Sequence, residues 1–447
     1  MYRDQTAAFG PASHARPLDI AVVGSGISGL SAAWLLSKRH RVTLFEADDR
    51  IGGHSNTVDA GGVAVDTGFI VYNEATYPNF TALLSHLGVR SDPTEMSFAV
   101  SLGGGACEYS GSGLSGLFSQ KRNLLRPRFW HMLRELLRFY REAPQGLAAL
   151  GDESIDAYLD RRGYGRAFRE DHLYPMAAAI WSSPATGMRH YPAASFIAFC
   201  HNHNLLQTGP RPPWRTVRGG SRSYVQALLS QFDGTVRSNT PVHRIERDPA
   251  GVTLHTPAGP QRFDQVVIAT HSDQALAMLA SPDAAEHSLL SAMRYSRNDA
   301  VLHSDTALMP QRRKVWSAWN FLASADPGAS PSVTYWMNRL QHIETKAPML
   351  VTLNPASPPD PALVHWQGTY HHPVFDSAAI AAQQKLWSLQ GRHNTWFCGA
   401  WLGAGFHEDG LQAGLAVAEQ LGGLRRPWHL DQPSSRIVIT PRELLAA

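Results

Sequence analysis

The sequence predicts an α/β protein: a discontinuous Rossmann-type domain with an α+β domain inserted between its parts. Three observations predict it. The apolar run Leu18–Val23 ends in Gly24-Ser25-Gly26-Ile27-Ser28-Gly29, and helical spacing follows at Leu30, Ala33, Trp34 and Leu36. A second strand, Arg41–Phe45, then closes on Glu46, which completes a βαβ unit of a doubly wound sheet. Finally, the α/β texture returns in two later pieces, separated from the first by stretches of different character.

The remaining elements follow in chain order. Residues 1–17 read as a loose leader rich in Ala, Pro and polar side chains. Residues 62–72 are strand-like, and Thr76–Leu87 has apolar residues at helical spacing. From about 110 to 215 helical signals dominate, punctuated by Pro127, Pro144, Pro175, Pro184 and Pro192. A helix near Tyr224–Leu229, strands near Val242–Arg247 and Val252–Thr256, and a buried strand Gln265–Thr270 come next. Residues 300–370, rich in Trp, Thr and Val, read as several strands. The chain closes with a strand Thr395–Cys398, a glycine-rich turn and a helix from about Gly410 to Leu421. The expected division is a dinucleotide domain at 18–85, 217–280 and 385–425, a substrate domain at 86–216 and 281–384, and a C-terminal tail at 426–447.

The glycine loop carries the first chemistry. Gly24 allows the tight turn, Gly26 lets the backbone approach a pyrophosphate, and Gly29 lets helix pack on strand. The amides of Ile27 and Ser28, at the positive end of the helix dipole, face the phosphates. Glu46, 22 residues after Gly24, stands where a carboxylate accepts hydrogen bonds from ribose hydroxyls. An acid there disfavours a ribose 2′-phosphate.

Composition narrows the rest. The 447 residues are 43% hydrophobic and 17% charged, as in an ordinary globular protein. A formal net charge of +3 is too slight to argue for nucleic acid. Cys107, Cys200 and Cys398 are widely spaced, which fits a reducing compartment and gives no zinc pattern. No metal is expected, because His201 and His203 lack a third ligand at useful spacing. With neither a secretory signal nor 18 consecutive apolar residues, the expected place is the cytoplasm, with a peripheral seat on the inner membrane face as a variant.

Glu46-Ala47-Asp48-Asp49-Arg50-Ile51-Gly52-Gly53-His54 resembles the E-x-x-x-R-x-G-G-R segment of the flavin-containing amine oxidase and phytoene desaturase superfamily. The resemblance implies FAD and an amine-oxidase-like two-domain architecture. Arg50, Gly52 and Gly53 would lie along the pyrophosphate and ribityl chain, while His54 stands where the family has Arg. Asp66-Thr67-Gly68-Phe69-Ile70 matches the family's D-x-G strand, which implies that Gly68, Phe69 and Ile70 lie near the flavin. Pro241–Ile245 and Val266–Thr270 resemble its paired strands, with Val242 at the adenine. Phe397-Cys398-Gly399-Ala400-Trp401 and Gly405–Gly414 resemble its closing flavin motif, which implies contacts from Gly399, Ala400, Trp401, Gly410 and Leu411. There a helix N-terminus near Asp409–Leu411 would aim amides at the flavin.

Tyr72–Phe80, Trp316–Asn320, Tyr335–Gln341, Val351–Pro355, His372–Asp376 and Gly405–Gly410 together resemble a bacterial group of amine-oxidase-like proteins over residues 18 to 425. That group is associated with cyclopropane-fatty-acyl synthase-like methyltransferases, and some members appear as desaturases of methylated acyl chains. The resemblance implies a lipid acyl substrate and a methyltransferase partner.

Residues 121–142 (KRNLLRPRFWHMLRELLRFYRE) carry seven Lys/Arg against two Glu, with Phe129, Leu133, Leu136, Leu137 and Tyr140 on one helical face. Such a helix either packs its stripe on the core or lies in a membrane interface. Desaturation calls for a base besides the hydride acceptor; His407, His371, His372 and Tyr72 are the candidates, with Glu74 beside them. Trp316, Trp319, Tyr335 and Trp336 are candidates to line an apolar pocket. Three functions remain open: a desaturase or dehydrogenase of acyl chains, an amine or small-molecule oxidase, and a non-catalytic flavoprotein partner of a lipid methyltransferase.

Overall fold

The computed structural model describes residues 16–439 apart from 148–149, 152, 182–186, 203–204, 207–212, 325 and 327–330. Most of the leader, His203 and residues 440–447 therefore lie outside the described residues. A five-stranded parallel sheet runs in the order 235–237, 41–45, 19–23, 265–268, 395–397. Its central strand, Asp19–Val23, is covered on both faces, which is why it reads as an unbroken apolar run. The helix Ile27–Ser37 packs on this sheet and is buried along its whole length. The helix His407–Leu421 crosses it closely enough that a Cβ on Gly414 would lie 2.2 Å from the carbonyl oxygen of Ser28. Residues from both ends of the sequence thus share one core, and the Rossmann-type sheet is discontinuous, as expected.

A seven-stranded sheet stands apart from it in the order 364–374, 294–303, 350–353, 332–336, 319–322, 98–102, 107–110. It is antiparallel except where Trp319–Leu322 runs alongside Phe98–Leu102. The helical stretch lies over it. Helix Pro127–Glu142 begins with Pro at its first turn, where no N–H is needed, and buries Phe129, Met132 and Phe139. Opposite these, Trp130 and Leu137 are exposed. No helix among the described residues is long and apolar enough to cross a membrane.

Three local expectations are corrected. Residues 62–72 break into Val63–Asp66, hairpinned on Thr57–Ala60, and a two-residue strand Tyr72–Asn73 that pairs elsewhere. The segments around Val242 and Val266 do not pair with each other. Strand Arg244–Asp248 turns back onto Gly251–Thr256 in its own three-stranded sheet, and both edges of Gln265–Ile268 are taken by Asp19–Val23 and Thr395–Phe397. The closing helix starts at His407, three residues before the expected Gly410, because Asp409 folds back to accept from the Phe406 amide at 2.7 Å. The C-terminal tail is also built into the fold: Trp428 stacks on Trp34, and Arg436 reaches Asp409.

Candidate active site

A cavity of about 2070 Å³ opens at the carboxyl ends of the parallel strands, where Val23, Phe45, Ala269 and Gly399 border it. This is where doubly wound sheets bind ligands, because strand 19–23 has 41–45 on one side and the later strand 265–268 on the other, a switch point in the strand order. A drug-sized ligand occupies roughly 300–1,000 Å³, so this volume accommodates a dinucleotide and a second molecule.

The glycine loop fits a close-approaching pyrophosphate. Gly24 has φ of +99°, and a Cβ there would lie 2.9 Å from the Ala269 carbonyl oxygen; on Gly29 it would lie 1.9 Å from that of Gly24. At Gly26 a Cβ would meet nothing within 4 Å, so this glycine keeps open space in front of the helix start. Glu46 Oε2 accepts from the Ser25 amide at 2.9 Å and Oε1 from the Asp48 amide at 3.0 Å, fixing the carboxylate at the cavity wall for a ribose. Arg50 donates to the carbonyls of Gly53 and Ser55, bracing the turn in which Gly52 takes φ of +126°. These residues, with Ile27, Ser28 and Ala47, would hold the adenosine and pyrophosphate of FAD, and Val242 borders the same cavity.

The wall also includes His54, Gly68, Phe69, Ile70, Gly399, Ala400 and Trp401, which would border the ring system of a bound FAD. His54 is positioned by its backbone: its carbonyl accepts from Phe69 N at 2.8 Å, and a Cβ on Gly68 would stand 2.1 Å from it. Its ring sits 4.9 Å from Tyr370 and 5.4 Å from His372. Asn298 Nδ2 donates to His372 Nδ1 at 2.9 Å, which leaves the ring proton on Nε2. His407 stacks on Phe69 at 3.8 Å, with Nε2 2.8 Å from the Tyr224 hydroxyl.

Other expected residues lie elsewhere. Gly29, Gly410 and Leu411 do not border the cavity; a Cβ on Gly410 would lie 2.8 Å from Ser28 Oγ, so that glycine serves helix packing. The amides of Asp409 and Gly410 are spent on the Phe406 carbonyl. Tyr72 is buried outside the cavity and donates to Ser91 Oγ at 2.8 Å, while Glu74 is exposed and pairs with Arg215. Neither is placed to act as a base. Trp319 and Tyr335 line the cavity, whereas Trp316 and Trp336 pack on each other at 5.5 Å. His271, Tyr295 and Tyr370 also line it and were not anticipated. His271 lies just beyond the carboxyl end of strand Gln265–Ile268, so the rule that sites gather at strand carboxyl ends would have found it.

Burial holds His407 down at about 3 and His372, aided by His271 and His371, at about 4; His54 and His271 are lowered for the same first cause. At neutral pH these four rings are uncharged. A base works best with its pKa near the working pH, so these imidazoles are weak bases. His303, in the seven-stranded sheet, is also pressed down to about 4 by burial. The unfolded chain takes up protons at His303, His372 and His407 below about pH 6.5, and the folded chain refuses them until about pH 3–4. Stability contributed by these groups is therefore full above pH 6.5 and lost progressively toward pH 4. Calorimetry from pH 7 to 4 should show a falling Tm; a constant Tm would contradict it.

A glycine loop with an acid placed for a ribose, at the head of a parallel sheet, defines a dinucleotide site of the kind that holds FAD. The chain belongs to the flavin-containing amine oxidoreductase family, which it matches over residues 27–421. It is 28% identical over 260 residues to AofH of Mycobacterium tuberculosis, assigned as a flavin-containing monoamine oxidase; this spans 56% of each chain, about half the curated relative. In fold it resembles a protein from Exiguobacterium sp. 255-15 assigned as a protoporphyrinogen oxidase (TM-score 0.67, 15% identity, 92% of this chain and 99% of that one). It also resembles the CLA-producing fatty acid isomerase of P. acnes (TM-score 0.64, 16% identity, 91% and 98%). FAD bound here would supply the hydride acceptor, its N5.

Proposed function

We propose that the protein desaturates a fatty-acyl chain carried by a lipid, a methylated chain by the resemblance of its sequence; with FAD bound, the hydride would pass from one alkyl carbon to the flavin and the proton of the neighbouring carbon to an uncharged imidazole at the cavity wall. One observation carries this reading. Beyond the ring chamber the cavity continues between Phe118, Leu133, Leu136, Met176 and Ile180, and its acidic lining residues, Glu46 and Asp48, both sit by the glycine loop. An ammonium substrate would find no carboxylate in this arm and would pass Arg134, Arg138 and Arg141 to reach it. An acyl chain matches the apolar walls, and an anionic headgroup matches those arginines. A fatty-acid enzyme among the folds it resembles supports the same reading.

Oxidation of an amine or another small molecule is the second reading, favoured by the monoamine oxidase assignment of AofH and by the aromatic walls Trp319, Tyr335 and Tyr370. A methyltransferase that modifies acyl chains is the partner proposed to supply the substrate; in the alternative role the flavoprotein would support that enzyme without turnover of its own. The test is anaerobic mixing with detergent-dispersed methylated or cyclopropanated phospholipid while flavin absorbance is followed. Bleaching by lipid is expected. Bleaching by simple amines alone would establish the second reading, and bleaching by neither would favour the non-catalytic role.

A further inference from the structure

The apolar arm reaches the surface at a patch whose composition says what it meets. Leu114, Trp130 and Leu137 all line the cavity, yet they are 75%, 48% and 54% exposed, so they form its mouth. Leu125, 86% exposed, and Leu124 stand beside them on the short turn that leads into helix Pro127–Glu142. Five large apolar side chains in one neighbourhood exceed the scattered exposure ordinary on a protein surface. Trp130 is anchored by its indole N–H on the Leu124 carbonyl at 2.9 Å, which holds its ring outward beside Phe118.

Cations outnumber carboxylates around this mouth, although Arg141 and Arg138 pair with Glu142 of the same helix. Lys121, Arg122, Arg134 and Arg141 are exposed around it, and from Gly111 to Arg134 the chain has no Asp or Glu. Lys121 and Arg134 make no ion pair among the described residues, whereas Arg128, farther along, is occupied by Glu170 and Asp171. Two copies meeting face to face here would set these cations against themselves, because a two-fold interface presents the same patch from both sides. An anionic lipid surface satisfies both components: apolar side chains enter the acyl boundary and cations remain among the headgroups.

We propose that the patch formed by Leu114, Leu125, Trp130 and Leu137 with Lys121 and Arg134 is a docking surface for an anionic phospholipid bilayer, and that the mouth at its centre admits an acyl chain directly from that bilayer. Sequence left helix Pro127–Glu142 with two alternatives, core packing or membrane contact; the geometry points to both on different faces. Phe129, Met132 and Phe139 pack inward, Leu133, Leu136 and Tyr140 wall the cavity, and Trp130 and Leu137 face out. Admission of the acyl chain rests on the desaturase reading; the docking itself does not.

The experiment is co-sedimentation of the FAD-loaded protein with vesicles of phosphatidylcholine, with or without phosphatidylglycerol, run beside the micellar bleaching assay. Binding to the anionic vesicles is expected, weakening with salt. Lys121→Gln and Arg134→Gln should each lower partitioning about fivefold, and Leu125→Ser should lower it at unchanged flavin content and Tm. Equal binding of these variants, or no vesicle binding by the parent protein, overturns the docking. If the protein instead elutes as a dimer that Leu125→Ser dissociates, the patch is an interface between copies and the proposal fails. Vesicle binding without lipid bleaching leaves the docking standing and removes the desaturase reading; lipid bleaching in micelles without vesicle binding does the reverse.

Discussion

Alanine at position 29 is expected to destabilise the protein by about 3 kcal/mol or more, whereas alanine at position 26 spares the fold and removes the cofactor. The added carbon at 29 would stand 1.9 Å from the Gly24 carbonyl oxygen. No rotamer relieves that contact, because the backbone fixes the Cβ position and its partner is a backbone carbonyl, so helix Ile27–Ser37 must lift from the sheet; such overpacking costs about 1–3 kcal/mol even where side chains can yield. At Gly26 the backbone is extended, with φ of −62° and ψ of 176°, and the methyl meets open space. The apoprotein should change by about 1 kcal/mol or less, the usual range for changes at a helix N-cap. What the methyl blocks is close approach of the pyrophosphate, and FAD affinity should fall at least about tenfold, or roughly 1.4 kcal/mol. Thermal melts of the stripped proteins and flavin titration separate the effects. Equal behaviour of both variants would refute the division of labour.

Arg436→Ala is expected to cost about 3–5 kcal/mol, although sequence placed this residue in a tail. Arg436 Nε lies 2.7 Å from Asp409 Oδ1, and its Nη1 donates to the Thr76 carbonyl at 2.8 Å. The Asp409 side chain is 1% exposed, so removing the arginine strands a buried carboxylate in the first turn of helix His407–Leu421. The double variant Arg436→Met with Asp409→Asn removes both charges and should recover much of the loss. Denaturant unfolding measures all three proteins; a loss below about 1 kcal/mol for Arg436→Ala would show that the pair does not hold the helix start.

These two sites also mark what the sequence can reveal. The glycine loop, Glu46 and the apolar run before them act through local backbone geometry, so their spacing announces the fold. The fold class accordingly matches the expectation, including return of the chain to the parallel sheet at Gln265–Ile268 and Thr395–Phe397. Arg436 and Arg426 belong to short polar stretches without periodicity, and contacts distant in sequence give them structure: Arg436 pairs with Asp409, and Arg426 donates to Asn79 Oδ1 at 2.8 Å. Tyr72 looked catalytic because it follows the strand expected near the flavin. A two-residue strand turned its side chain toward Ser91 instead. Periodicity exposed the apolar stripe of Pro127–Glu142 but not the hollow behind it, because a cavity wall and a core wall have the same pattern.

The strand order of the parallel sheet also sets when this protein can come into being. Strand Asp19–Val23 emerges early, but its neighbour Gln265–Ile268 comes more than 200 residues later, and Thr395–Phe397 later still. At about 5–20 residues per second of synthesis, the nascent βαβ unit waits roughly 10–50 s for the strand that covers its second edge. During that interval an apolar strand edge is open to pairing with other chains. A site walled by elements this far apart cannot load its cofactor until Thr395–Phe397 and the glycine turn after it have been made, so protection of the open strand edge during that interval would govern the yield of active protein in a cell.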